Sequence, residues 1–302
     1  MTPKAIPFLA RATGRAAQRG ITLIELMVGI TIGLLVVAVA VAALLVSRGI
    51  SGTVSDASDI QQQSAYVLRL IGGQLREASS MRLNIPPDDS IDPMAPVGFE
   101  TKSGDGVTGL TTFDTTSAAG QAVLFSGTDG GGAAPDTLTT GFARDQVSVF
   151  TGANLATMAL NCVKGPDDNN AANAAMMVVQ SVFSVDSSGN LQCSGNGNSS
   201  QPVTQNVANF QVRYLVQNNA TLGTPQIQYL SASAVSDWSQ VQGVEVCLVL
   251  YGNESIGMPP GTKYLDCDGQ TQVDMTTLPG VRNNRMHTVF RNVFQLRSMG
   301  VS

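Results

Sequence analysis

Residues 21–46, ITLIELMVGITIGLLVVAVAVAALLV, are an apolar run of 26 residues whose only ionisable side chain is Glu25. Coiled as an α-helix, the run reaches about 39 Å at 1.5 Å per residue, enough to cross a hydrocarbon layer of about 30 Å. A helix that is apolar all round is buried in a large core or in lipid. Placing a carboxylate at that depth costs about 3 kcal/mol or more, so Glu25 needs a partner or a purpose. Upstream, Lys4, Arg11, Arg15 and Arg19 carry four positive charges before Gly20 with no acid among them. Positive charge on the N-terminal flank keeps that flank cytoplasmic and exports the chain beyond Val46. A secretory signal peptide has an apolar core of about 7–15 residues and then a small-residue cut. Here the run is longer and the plausible cut precedes it. A plain membrane anchor gives Glu25 no use.

The sequence Arg19-Gly20-Ile21-Thr22-Leu23-Ile24-Glu25-Leu26 resembles the class III signal of type IV prepilins. The resemblance implies cleavage between Gly20 and Ile21 by a membrane-bound prepilin peptidase and N-methylation of Ile21. It also implies that Glu25 meets the N-terminal amine of a neighbouring subunit, which removes an isolated charge and sets register. Many members have Phe after the cut, where this chain has Ile21. Gly29 and Gly33 have a GxxxG spacing. Small residues at that spacing let membrane helices pack closely, although glycine is frequent in such helices in any case.

Low charge, 13% of 302 residues, together with 31 glycines and few aromatics, fits a β-rich exported domain with many turns. The net charge is −5, and removing the four cations of the leader leaves −9 on the rest. So acidic a chain argues against nucleic-acid binding through a broad basic surface. The four cysteines, Cys162, Cys193, Cys247 and Cys267, all lie beyond the apolar run. An even count in an exported context favours two disulfides. Of three connectivities, the sequential one, Cys162–Cys193 with Cys247–Cys267, closes the shortest loops. No CxxC occurs, and the single histidine, His287, excludes a histidine-rich metal site.

Beyond a Gly/Ser-rich stretch at Arg48–Val54, expected to loosen the helix, periodicity of 3.6 returns. Val67, Leu68, Ile71, Leu75 and Ala78 form a stripe that predicts an amphipathic helix to about Arg82, weakened at Gly72-Gly73 and ended by Pro86-Pro87. Strand patterns occur at Ala122–Phe125, Gln146–Phe150, Met176–Val185, Val207–Val216, Val244–Tyr251 and Met286–Leu296, with a hairpin turn at Asp186–Asn190 returning through Leu191–Cys193. Gly104–Gly120, Gly127–Ala134 and Ser194–Ser200 read as loops. The division expected is a leader (1–20), a transmembrane helix (21–46), its amphipathic extension (47–82) and a β-rich globular domain (83–302).

Catalytic patterns are weak. One histidine and no GxSxG argue against a Ser-His-Asp reading. Asp266-Cys267-Asp268-Gly269 and Asp167-Asp168-Asn169-Asn170 have calcium-loop chemistry without the closing glutamate of an EF-hand, so calcium is the one cofactor considered and a solvated turn is the simpler account. Gly130-Gly131-Gly132 does not join a strand to a helix start, as a phosphate cradle would. Trp238 reads as core or as a sheet-edge anchor.

Residues 61–82 resemble the post-membrane helix of PilW-type minor pilins. Val207–Tyr214, Asp237–Leu248 and Arg285–Arg297 resemble three later segments of that family. The resemblance implies an α+β fold in which a long, partly transmembrane N-terminal helix packs on an antiparallel sheet, pilin-like and disulfide-bonded. It implies a non-enzymatic minor pilin that primes or caps a type IV pilus together with other minor pilins and the major pilin. Such a subunit sits in the inner membrane by a single span, with a periplasmic C-terminal domain, before it enters the pilus at the cell surface. The alternatives are a GspJ-like pseudopilin of a type II secretion system, which shares the leader, and a membrane-anchored adhesin or periplasmic protein.

Overall fold

The computed structural model describes residues 20–84, 98–145, 147–148, 155–156, 159–166, 175–196, 198–218 and 226–297. The basic residues Lys4, Arg11, Arg15 and Arg19, Pro86-Pro87 and Asp167–Asn170 lie outside them. The chain divides into two compact units, Met1–Ser51 and Gly52–Ser302.

In chain order the elements are α1 (Leu23–Glu77), β1 (Arg82–Asn84), β2 (Gly98–Glu100), β3 (Lys102–Gly109), β4 (Thr112–Asp114), α2 (Ala118–Leu124), β5 (Phe125–Thr128), β6 (Thr137–Ala143), β7 (Val147–Ser148) and β8 (Leu155–Ala156). They continue with β9 (Val178–Val185), β10 (Leu191–Gly195), β11 (Asn198–Thr204), β12 (Val207–Asn218), β13 (Gln226–Leu230), β14 (Val241–Ser255), β15 (Lys263–Leu265), β16 (Gln272–Asp274) and β17 (Arg285–Gln295). Among the described residues there are two larger sheets, where a single sheet was expected. Both are antiparallel: β11-β10-β9-β6-β5 and β13-β12-β14-β17.

In the second unit the apolar stripe of α1 meets both sheets in one core. Ile60, Val67, Ile71, Leu75 and Ala78 cluster with Phe125, Leu138, Phe183 and Leu191 of the first sheet and with Phe210, Val212, Tyr214, Val244, Val246 and Leu248 of the second. Polar side chains pin the same helix: Asp56 accepts from the Glu254 backbone N–H at 2.7 Å, Thr204 donates to Gln63 at 2.8 Å, and Ser181 donates to Gln74 at 2.8 Å. Trp238 packs against this core, its ring edge-on to Tyr214 (centroids 4.8 Å) and Phe125 (5.7 Å).

Strand β14 is buried on both faces. Its other side supports a smaller core in which Cys247 and Val249 meet Tyr264, Cys267 and Met275 of the β15–β16 flap. Double-sided burial explains why VEVCLVLY reads as a near-continuous apolar run instead of alternating. In β12 a register shift between Val207 and Asn209 changes the parity, so Val207 joins Phe210, Val212 and Tyr214 in the core. The disulfides join Cys162 to Cys193 and Cys247 to Cys267.

Several sequence expectations are corrected. Arg48–Val54 falls within the bounds of α1. The helix stops at Glu77, not near Arg82, because Ser79 turns to φ 57° and gives its N–H to the Gly141 carbonyl of β6 at 2.7 Å. Ala122–Leu124 belongs to α2; only Phe125 begins a strand. Ser117 caps that helix, its Oγ accepting from the Gly120 N–H at 3.1 Å, and an alanine-rich segment then coils instead of extending. Gly104–Gly120 holds most of the β3–β4 pair and the start of α2, and β5 runs into Gly127–Thr128. Ser194–Ser200 is the tight end of a β10–β11 hairpin. There buried Asn196 takes φ 50° and its Nδ2 donates to the Val178 carbonyl.

Candidate functional site

The residues singled out for processing and assembly lie at the start of α1. Gly20, Ile21 and Thr22 precede the helix, and all three are exposed. A Cβ built on Gly20 meets no atom of the described residues within 4 Å, so they place no demand for glycine there. The same is true of Gly29 and Gly33. From Leu23 to Leu45 the helix is long and apolar enough to cross a membrane, and none of it is buried within the chain. Water cannot solvate such a surface cheaply, so this segment requires lipid or other helices around it.

Glu25 is the acid at the first turn of that helix. Its Oε2 accepts from the Thr22 backbone N–H at 3.3 Å and from Thr22 Oγ1 at 3.1 Å, while Thr22 Oγ1 accepts from the Glu25 N–H at 3.3 Å. This is a capping box, with Thr22 as the N-cap and Glu25 three residues on. Sequence reasoning singled out Glu25 and missed Thr22, although the spacing T-x-x-E is a helix-start signal. Glu25 is therefore hydrogen-bonded within its own helix, not left bare in the isolated subunit.

Elsewhere the acidic and histidine groups close turns or fill the core. Asp268 accepts from the Gln270 and Thr271 backbone N–H groups at 2.8 Å and from the Thr271 hydroxyl, which together hold its carboxyl down to about 2. Asp266 accepts from Asn209 Nδ2 and from the Cys267 N–H. Among the described residues no three of His, Cys, Asp or Glu converge as metal ligands. His287 lies between Tyr251 and Tyr264, with centroids 5.6 and 4.9 Å away. Its Nδ1 bonds the Arg285 carbonyl at 2.9 Å, and burial pushes it down to about 4.

A cleft of about 300 Å³ is lined by residues including Asp129, Gly130, Asp136, Arg213 and Asp268. Its two central carboxylates serve the fold: Asp129 accepts from the Ala232 and Ser233 N–H groups, and Asp136 from those of Gly130 and Val212.

Comparison with known proteins bears on both ends of the chain. Residues 15–45 match the family model of the prokaryotic N-terminal methylation motif, and residues 166–298 match that of the type IV pilus-assembly protein W. Among solved structures, a type IV-like pilin from Thermus thermophilus is similar over 80% of this chain and 96% of its own, at 15% identity and a TM-score of 0.36. No curated protein matches the chain. The exposed Gly20–Ile21 junction and Glu25 fall within the methylation motif, and strands β12, β14 and β17 fall within the second match. The chain thus carries a match to the type IV pilus-assembly protein W over residues 166–298, behind a match to the N-terminal methylation motif over residues 15–45.

Proposed function

We propose that this chain is a minor pilin of a type IV pilus that helps to prime or cap filament assembly and works by binding alone. It is made as a prepilin, cut between Gly20 and Ile21 by prepilin peptidase and methylated on Ile21. The apolar helix then holds it in the inner membrane, with the globular domain in the periplasm, until it joins other minor pilins and the major pilin in the filament. The observation that carries this reading is the match at residues 15–45. It falls on an exposed glycine that the fold does not need and on an apolar helix that the fold does not cover. In the filament, Glu25 pairs with the N-terminal amine of a neighbour. Such a pair gains most where water is scarce and each charge alone is costly. The match over residues 166–298 supports the pilus over the GspJ-like secretion reading.

The deciding experiment is mass spectrometry of the mature N-terminus in cells with and without prepilin peptidase. A start at N-methylated Ile21 that requires the peptidase is the expected outcome. An intact Met1, or a cut beyond Val46, in both strains would refute the reading.

A further inference from the structure

Strand β13 is an edge of the second sheet. Along an antiparallel strand, successive residues turn their backbone N–H and C=O to opposite sides. In β12 the Phe210 carbonyl and the Val212 N–H face away from β14, meeting the backbone N–H and the carboxylate of Asp136 at 2.8 Å. With the unbroken register that follows, Tyr214, Val216 and Asn218 turn the same way and bond Leu230, Gln228 and Gln226. The N–H and C=O groups of Ile227 and Tyr229 therefore point outward, and among the described residues nothing takes them. The side chains of these two residues, 50% and 49% exposed, share one face of the β12–β13 ribbon, and Gln228 lies between them on the other.

Open edges pair with other strands, and folded proteins block them with proline, charge or bulges. Edge strand β11 carries Pro202 and two register shifts against β10. Edge strand β17 carries Arg291, and its Asn292 side chain turns back to accept the Val293 N–H at 2.9 Å. Strand β13, Gln-Ile-Gln-Tyr-Leu, has no proline, no charge and no register shift. We propose that β13 is a strand-addition site for a second copy of this chain, with the two β13 strands antiparallel about a two-fold axis at Gln228. The strand is complementary to itself, as a two-fold contact requires. In this register Ile227 of each copy faces Tyr229 of the other. Both are doubly hydrogen-bonded pairs, so all the outward groups of these residues are used. An aromatic side chain opposite a β-branched one is a favourable cross-strand pair. The two Gln228 amides meet on the other face, and no charge on one strand opposes a like charge on its partner. An edge contact of this size is weak between freely diffusing molecules. Where the apolar helix Leu23–Leu45 holds both copies in one membrane, their effective concentration is raised. The pairing does not depend on which assembly the chain serves.

Two measurements on the full-length chain test this. In detergent, hydrogen exchange of the wild type is followed amide by amide over about a hundredfold range of protein concentration. The Ile227 and Tyr229 amides should exchange about fivefold more slowly, or better, at the concentrated end, because only a second chain covers them. Gln228 and Leu230, bonded to β12, should stay protected throughout. In native membranes, Gln228→Cys should give a disulfide-linked dimer on a non-reducing gel, because two residues opposed across the axis in a non-hydrogen-bonded pair are within disulfide reach. Ser199→Cys, exposed on the blocked edge β11, measures random collision. Adding Ile227→Lys to Gln228→Cys should lower the dimer share about fivefold by removing the Ile–Tyr pairs. Ile227 is half-exposed, so the fold should be kept, which an unchanged urea midpoint verifies.

Exchange at Ile227 and Tyr229 that is indifferent to concentration would overturn the proposal. So would equal dimer shares for Gln228→Cys and Ser199→Cys, or a Gln228→Cys dimer that Ile227→Lys leaves unchanged. A cross-link from Gln228→Cys to a protein of different mass would give the edge to another occupant and overturn the assignment to a second copy. If the added cysteine disturbs the native disulfides, the exchange of the wild type decides by itself.

Discussion

At the scale of single residues, Gly20 and His287 illustrate opposite kinds of constraint. A Cβ on Gly20 would meet no atom of the described residues within 4 Å. Gly20→Val should therefore leave folding and membrane insertion intact and abolish cleavage. On a gel the variant should keep the precursor's mobility, and a shift to the mature position would count against the reading. His287 is constrained from within: it is stacked between two tyrosines, with its Nε2 buried and without a hydrogen-bond partner. Burial lowers its proton affinity in the fold to about 4, against an ordinary 6.5. The unfolded chain thus takes up the proton first. The stability tied to the neutral ring is complete above about pH 6.5 and is lost as pH falls through that window towards 4. Denaturant midpoints at pH 7.5 and 4.5 should therefore fall further for the wild type than for His287→Phe. The carboxylates common to both cancel in the difference, and equal slopes would disprove the assignment. Both residues stand out in the sequence, one beside a basic leader and the other as a lone histidine. Only the packing reveals that the histidine is a core ring.

At the scale of elements, the paired glycines of α1 separate propensity from packing. The sequence treats Gly72 and Gly73 alike, as two weak points in a helix. In the fold, a Cβ on Gly72 would lie 2.5 Å from Phe294 Cε1 of β17, whereas one on Gly73 meets nothing within 4 Å. Gly72→Ala should destabilise by about 1–3 kcal/mol through overpacking. Gly73→Ala should stabilise by up to about 1 kcal/mol through helix propensity. Urea unfolding of the two variants tests the opposed signs, and a shared sign would show that the close approach of Phe294 does not matter. The stripe of α1 was legible because its period is local. The identity of its partners was not, since Phe294 lies more than two hundred residues downstream. Helix α2 escaped for a related reason: three of the four residues that read as a strand coil because Ser117, its hydroxyl held by Asp114, caps the helix from outside the window.

At the scale of the whole molecule, the disulfides fasten peripheral segments to the buried sheets. Cys247–Cys267 ties the β15–β16 flap to the outer face of β14, and Cys162–Cys193 ties the segment at 159–166 to β10. Removing the Cys247–Cys267 bridge as a double alanine variant should cost about 2–4 kcal/mol. The loss should begin locally. Amide hydrogen exchange is expected to rise across Lys263–Asp274 while β12 stays protected. Uniform loss of protection would show instead that the flap and the main core unfold as one.

At the N-terminal end, the long apolar helix and the acid in its first turn were legible in the sequence alone, because both depend on local quantities: apolar length and spacing along one helix. The sequential pairing of the cysteines is also a matter of loop length along the chain. The tertiary structure decided what joins distant segments. Among the described residues it divided the strands between two larger sheets and four two-stranded ones, paired β6 with β9 across the intervening chain, covered both faces of β14 and turned Asn196 into the buried end of a hairpin. A strand's period shows that it has an inner face. What lies against that face depends on shape and volume across the core, which no window of sequence contains.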